Sequence, residues 1–228
     1  MRMRKKPNLI PRMEACGALI VAGPKERRGH WRELLPGCRE VRLELGCGKG
    51  RFTVGVAQAE PDVLFVAVER VPDAMVIAAE RARDLGLSNV YFIDADAADL
   101  EDYFAPGEIG RIYINFCDPW PGARYAKRRL THPGFLMKDR KVLAKGGQIH
   151  FKTDNHDLFE WSLFQFPKAG FRLSEVTRDL HANGPVGVMT DYEEKFYNEG
   201  KPINRCVGTM EPLSEVPAEE PSETLEEE

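Results

Sequence analysis

No CxxC pair occurs among the five cysteines, Cys16, Cys38, Cys47, Cys117 and Cys206, and their number is odd. That spacing argues against a disulfide framework and a cysteine zinc site, and it suits a reducing cytoplasm. The histidines, His30, His132, His150, His156 and His181, also lack metal-ligand spacing, so no metal is expected. There is no G-x-G-x-x-G dinucleotide fingerprint and no G-K-[ST] phosphate loop. No apolar run approaches the length of a membrane span. The stretch "ACGALIVAG" after the basic start is short, and Pro11 and Glu14 interrupt the approach to it, so a cytoplasmic location is expected over secretion.

What is present describes one large domain. Its 228 residues are 43% hydrophobic and 30% charged, the balance of a globular chain long enough to bury a core. The formal net charge of −4 hides an asymmetry. Residues 1–12 carry Arg2, Arg4, Lys5, Lys6 and Arg12 and no acid, whereas residues 211–228 carry eight Glu and no Lys or Arg. Without that tail, 32 basic residues face 28 acidic ones, which permits a polyanionic partner without requiring one. We expect a basic arm over 1–40 with docking points such as Trp31, one domain over 41–210, and an acidic tail over 211–228 with the composition of a disordered segment.

Five short runs rich in β-branched and aromatic residues, at 41–45, 63–68, 90–93, 111–116 and 148–151, are nearly continuous rather than alternating. Strands buried on both faces have this pattern. Between them, residues 73–87 place Met75, Ala78, Ala79, Ala82 and Leu85 on one helical face, with Gly86 as a stop. A second helix is expected from an N-cap at Thr131, with Pro133 in its first turn and Gly146–Gly147 at its end. A third spans 156–166, followed by a strand within 171–180. The alternation predicts an α/β fold with a mostly parallel sheet and helices on both faces, binding its ligand at the carboxyl ends of the strands.

Those ends carry the chemistry. The first strand runs into "ELGCGKG", where Glu44 precedes Gly46, Gly48 and Gly50, a turn in which the backbone can lie against a ligand. Glu69 closes the second strand about twenty residues on, where an acid accepts hydrogen bonds from ribose hydroxyls. Asp94 and Asp96 follow the third strand, and Asp118 follows the fourth in "NFCDPWPGARYAKRRL". Each alone reads as well as a structural turn or a loop acid; an α/β sheet gathers them at one crevice.

These motifs, with "HFKTDN" and "TDYEEKF" after them, resemble in their order the bacterial tRNA (guanine-N7-)-methyltransferase family, over roughly residues 1–208. The resemblance implies a Rossmann-like class I methyltransferase with a seven-stranded sheet, using S-adenosylmethionine on a guanine of the tRNA variable loop. Carried over by position, Glu44, Gly46, Gly48, Gly50, Glu69, Asp96 and Asp118 would hold the cofactor. Asp118 would also be catalytic. Asp154, Thr190, Asp191, Tyr192 and Glu193 would meet the substrate, with Lys195 a partner to orient them, and Arg124, Lys127, Arg128 and Arg129 would meet the RNA. The family commonly has lysine after "DPWP" and histidine three positions later; here Gly122 and Tyr125 stand there. tRNA is the implied partner, and both monomer and homodimer remain open.

Guanine N7 has an in-plane lone pair and no proton, so no histidine base is required. Positioning should then dominate the rate, and a fixed carboxylate such as Asp118 would stabilise a purine that acquires positive charge. Acids can also accept from guanine N1–H and N2–H, whereas a donor aimed at N7 would occupy the nucleophile. The eight Lys and Arg between Gly122 and Lys145, against the single acid Asp139, fit phosphate contact in this setting. Two other readings stand: an amino-methyltransferase on adenine or cytosine, and a non-catalytic RNA-binding module that retains the fold.

Overall fold

The five apolar runs become β1 (Glu40–Leu45), β2 (Val63–Glu69), β3 (Val90–Asp94), β4 (Ile109–Asn115) and β5 (Leu143–Thr153), all parallel. The computed structural model describes residues 6–213; Arg2, Arg4, Lys5 and the tail from 214 onward lie outside the described residues. β6 (Phe171–Thr177) forms where a strand is expected, and β7 (Asn204–Met210) inserts antiparallel between β5 and β6. The result is a seven-stranded, mostly parallel sheet in the order β3-β2-β1-β4-β5-β7-β6. β7 carries no continuous apolar run, which is why periodicity does not reveal it.

Register sets the two faces. Val66, Leu43, Ile112 and Ile149 are successive cross-strand neighbours, and Val68, Leu45, Ile114 and Phe151 form the next row. This face packs against α4 (Leu100–Tyr103), α5 (Pro133–Val142) and α6 (His156–Lys168) through Leu100, Leu136, Phe159 and Phe166, all fully buried. On the other face, Phe65, Ala67 and Tyr113 meet Phe52 and Val56 of α2 (Arg51–Ala59) and Met75 and Ala79 of α3 (Pro72–Asp84). Each large side chain so buried contributes about 1.5–3 kcal/mol of transfer free energy. The last helix among the described residues, α7 (Asp191–Asn198), lies beyond both layers at the carboxyl ends of the strands.

The segment expected as an arm lies along the domain. Its helix α1 (Leu9–Glu14) packs on α3, Ile20 bridges Phe92 of β3, and Trp31 is fully buried, donating from Nε1 to the Tyr103 carbonyl at 2.8 Å.

Three local expectations are corrected. The helix expected to reach Gly146 stops at Val142, because Leu143 already pairs with Ile109 of β4. Gly146–Gly147 falls inside β5 at a register shift, where a Cβ on Gly147 would meet the Ala144 carbonyl oxygen at 2.8 Å. The cap of α5 is His132, whose Nδ1 accepts from Gly134 N–H, while Thr131 is buried against the Ser162 hydroxyl at 2.7 Å. Leu85, placed on the inner face of α3, is exposed because the helix ends at Asp84. Among the described residues no helix is long and apolar enough to cross a membrane.

The chain leaves β1 toward β2 on one side and returns to β4 on the other, so the sheet reverses direction beside β1. At such a switch point neighbouring loops diverge and open a crevice. The turns after β1, β2, β3, β4 and β5 all face it.

Candidate active site

Gly46, Gly48 and Gly50 have φ of 77°, 56° and 74°, a left-handed turn closed to most side chains. A Cβ at Gly46 or Gly48 would meet nothing within 4 Å, so open space lies over the turn; a Cβ at Gly50 would sit 2.4 Å from that of Ala78. Gly50 is therefore a packing glycine between α2 and α3, and the first two line the crevice. Glu69 fastens the turn to β2: it accepts from Gly48 N–H at 2.8 Å and from Val71 N–H at 2.9 Å. Each of its oxygens keeps a second lone pair for a ligand hydroxyl.

Glu44 stands behind this turn. It is 4% exposed and accepts from the Thr53 hydroxyl and from Asn115 Nδ2 at 2.9 Å. Burial pushes its carboxyl up to about 7, against the opposing pull of those bonds and of Lys152. Its contacts join β1, β4 and the start of α2, so it shapes the crevice floor from beneath. Asn115 Oδ1 is a buried acceptor with no partner among the described residues.

Asp96 and Asp118 are both exposed at the mouth. Asp96 accepts from Ala98 N–H at 2.9 Å, and the Arg70 guanidinium stands 4.0 Å from each acid. Asp118 sits in a strained turn, since Phe116 (φ 53°) and Trp120 (φ 43°) are left-handed without being glycine. Such residues cost about 1–3 kcal/mol each and persist where their surroundings over-determine them. Here Phe116 N–H donates to the Lys152 carbonyl at 2.9 Å. Arg129 donates to the Pro119 and Trp120 carbonyls at 3.1 Å each, with its guanidinium 4.4 Å from the Trp161 ring centroid. Burial pushes the adjacent Cys117 thiol up to about 12, which leaves it inert as a nucleophile.

The basic segment thus divides. Arg129 faces inward as a clamp on the Asp118 turn. Arg124, Lys127 and Arg128 are exposed, with Arg124 stacked on Tyr125 at 4.5 Å and Arg128 over Trp120 at 4.8 Å. These guanidinium and aromatic planes form one outward shelf beside Asp118.

Asp154 is exposed just past β5, and α7 brings the last set of residues across from it. Thr190 and Glu193 form a reciprocal capping box. Asp191 pairs with Arg81 at 2.9 Å and Glu194 with Arg51, which ties α7 to α3 and α2. Tyr192 is exposed and stacks on Phe196, whose ring lies 6.1 Å from that of Phe116. Glu193, expected to meet the substrate, is fully buried: it accepts from Lys152 Nζ at 2.5 Å, His181 Nε2 at 3.0 Å and Thr190 N–H at 3.2 Å. Lys195 turns away to Glu199 at 3.8 Å. Sequence reasoning missed Lys152, His181, Arg70 and Asn115; the one signal present was a lysine directly after the run at 148–151, in "HFKTDN". Burial and nearby cations hold His150 down to about 3, so it stays neutral. No cluster of three or more metal-binding side chains occurs among the described residues.

A family model described as a putative methyltransferase matches residues 39–206. A protein of Geobacillus kaustophilus (strain HTA426) named tRNA (guanine-N(7)-)-methyltransferase is 43% identical over 213 residues, covering 93% of this chain and 98% of its own. One of the same name from Bacillus cytotoxicus is 41% identical over 206 residues, covering 90% and 95%. Among solved structures, the 16S rRNA methyltransferase KamB aligns with a TM-score of 0.64 at 20% identity, over 81% of this chain and 94% of that one. A 16S rRNA (adenine(1408)-N(1))-methyltransferase from Catenulisporales acidiphilia aligns with a TM-score of 0.56 at 13% identity, over 85% and 94%. At these identities the structures speak for the fold.

Proposed function

The chain belongs to the methyltransferase family whose bacterial members are named tRNA (guanine-N(7)-)-methyltransferase, and from that premise we propose that it methylates N7 of a guanine in the tRNA variable loop, in the cytoplasm. The observation that carries this reading is the convergence of Gly46, Gly48, Glu69, Asp96 and Asp118 with Asp154 and α7 on one crevice.

S-adenosylmethionine, when bound, supplies an electrophilic methyl on a positively charged sulfur. The residues fit it. The open space over Gly46 and Gly48 admits a ligand against the backbone, Glu69 offers lone pairs to ribose hydroxyls, and Asp96 and Asp118 place negative charge at the mouth. Arg70, now between those two acids, is free to pair with either as the crevice fills.

Guanine N7 needs no base, so this chain's contribution is orientation and charge. The Asp118 carboxylate faces a purine that becomes cationic as its N7 is alkylated, and a preorganised anion there lowers the barrier without reorganising. Asp154 supplies an acceptor for the N1–H and N2–H edge that distinguishes guanine from adenine. Tyr192 presents the outer ring of a stack that leads through Phe196 to Phe116, a surface for the purine face. Arg124, Lys127 and Arg128 meet the phosphates around it.

The test is methyl transfer from labelled cofactor to unmodified tRNA, followed by nucleoside analysis. Label is expected in 7-methylguanosine. Label in N6-methyladenosine, or no transfer at all, overturns the reading.

A further inference from the structure

We propose that Lys152 and His181 are positioning residues for methyl transfer, with buried Glu193 as the acceptor they share. This inference rests on the function proposed for the crevice. The three residues come from the end of β5, the loop after β6, and the first turn of α7, and all three are buried, with exposures of 7%, 7% and 0%.

The hydrogen bonds define one charge state. Val186 N–H donates to His181 Nδ1 at 3.2 Å, so that nitrogen is an acceptor and the proton sits on Nε2, which donates to Glu193. His181 is therefore a neutral donor, and Lys152, 2.5 Å away, is the cation in contact with the carboxylate among the described residues. Lys152 Nζ also lies 3.4 Å from the Val188 carbonyl and 4.9 Å from the Phe52 ring centroid.

Lys152 also acts through its backbone. Its carbonyl accepts from Phe116 N–H, the first residue of the strained turn that presents Asp118, while its side chain holds Glu193 in α7. One residue thus fixes both walls of the crevice relative to each other. A buried ion pair is a poor source of net stability compared with apolar residues of the same size, but it tolerates only one geometry. Glu193 completes the capping box with Thr190, so that geometry is passed to Thr190, Asp191 and Tyr192. Glu193 then serves the substrate by holding the residues that touch it.

Three substitutions separate positioning from bulk stability. Lys152→Met and His181→Phe remove one donor each; His181→Gln restores one donor and one acceptor at comparable reach. With saturating tRNA, both donor-deleted variants should lose roughly 10–100-fold in kcat, the scale of a small misplacement of reacting groups. Cofactor affinity by calorimetry should change less than about twofold, and His181→Gln should recover most of the rate, because the amide reproduces the neutral imidazole's hydrogen bonds. The double variant Lys152→Met/Glu193→Leu, which removes both charges, should remain folded and remain slow. That double variant turning over at the wild-type rate would overturn the proposal, as would His181→Gln proving no faster than His181→Phe. Hydrogen exchange supplies an arm independent of activity: amides of Thr190 and of Glu193–Phe196 should lose protection in Lys152→Met while β1 to β4 keep theirs. Unchanged protection in α7 sinks the proposal even if the wild-type chain methylates nothing, and wild-type inactivity alone would sink only the proposed reaction.

Discussion

Glu44 and Asp118 carry the same functional group at the ends of adjacent strands, and their surroundings separate their work. Glu44 is sealed beneath the glycine turn with its carboxyl pushed up to about 7, whereas Asp118 is 72% exposed at the crevice mouth. Only the second can face a substrate ring. Asp118→Asn keeps the shape and removes the charge, so kcat should fall by roughly 100-fold or more, as when other preorganised electrostatic groups are removed. Cofactor affinity measured alongside separates this from weakened binding; full turnover with unchanged binding would refute the catalytic role. Glu44 should titrate in the stability of the fold. Its folded carboxyl lies above its ordinary value of 4.5, so the contribution is fully present below about pH 4.5 and is lost as pH rises through about 7. Glu44→Gln should therefore gain stability relative to the parent across that window, read as the difference in urea midpoints at pH 5 and pH 8.

At the scale of elements, two segments divide their residues between support and contact. In α5, Asp139 is fully buried and neither oxygen has a hydrogen-bond partner among the described residues; burial raises its carboxyl well above the ordinary range. Such a group opposes folding more strongly as pH rises. Asp139→Leu should stabilise the protein by roughly 1–3 kcal/mol near neutrality, with a smaller gain at acid pH, by chemical denaturation. In the segment before α5, sequence alone read four cations as one RNA-facing run, and the structure distinguishes them by what each touches. Alanine at Lys127 and Arg128 should flatten the salt dependence of tRNA binding by nearly one log–log unit for each phosphate no longer neutralised. Arg129→Ala should leave that slope unchanged and lower kcat, because it frees the Pro119 and Trp120 carbonyls that hold Asp118. An equal drop in slope for Arg129→Ala would return it to the RNA surface. The strand ends were legible in advance because parallel strands are short, apolar and punctuated by the residues that do chemistry. β7 and the true start of β5 were not, since their pairing depends on partners far along the chain. Lys152, His181 and Glu193 were illegible as a unit for the same reason: only the assembled sheet and α7 bring positions so far apart in sequence into one pocket.

At the scale of the whole molecule, the net charge opposes a polyanionic substrate while the distribution of charge favours one. The formal net charge is −4, yet the exposed shelf beside Asp118 is cationic. The difference lies largely at the C-terminus: removing residues 214–228, with their seven Glu, moves the net charge from −4 to +3. Long-range attraction to a polyanion depends on that total as well as on local contacts, and salt screens it over a Debye length of about 10 Å at 0.1 M. A chain ending at Leu213 should therefore associate with tRNA faster than the full chain at low ionic strength. The two association rates should converge as salt rises, while kcat at saturating tRNA stays the same, because no residue of the crevice is altered. Stopped-flow association across a salt series checks this. Equal rates at low salt would mean that local contacts alone govern encounter; a change in kcat would mean that the acidic segment reaches the crevice and acts there directly.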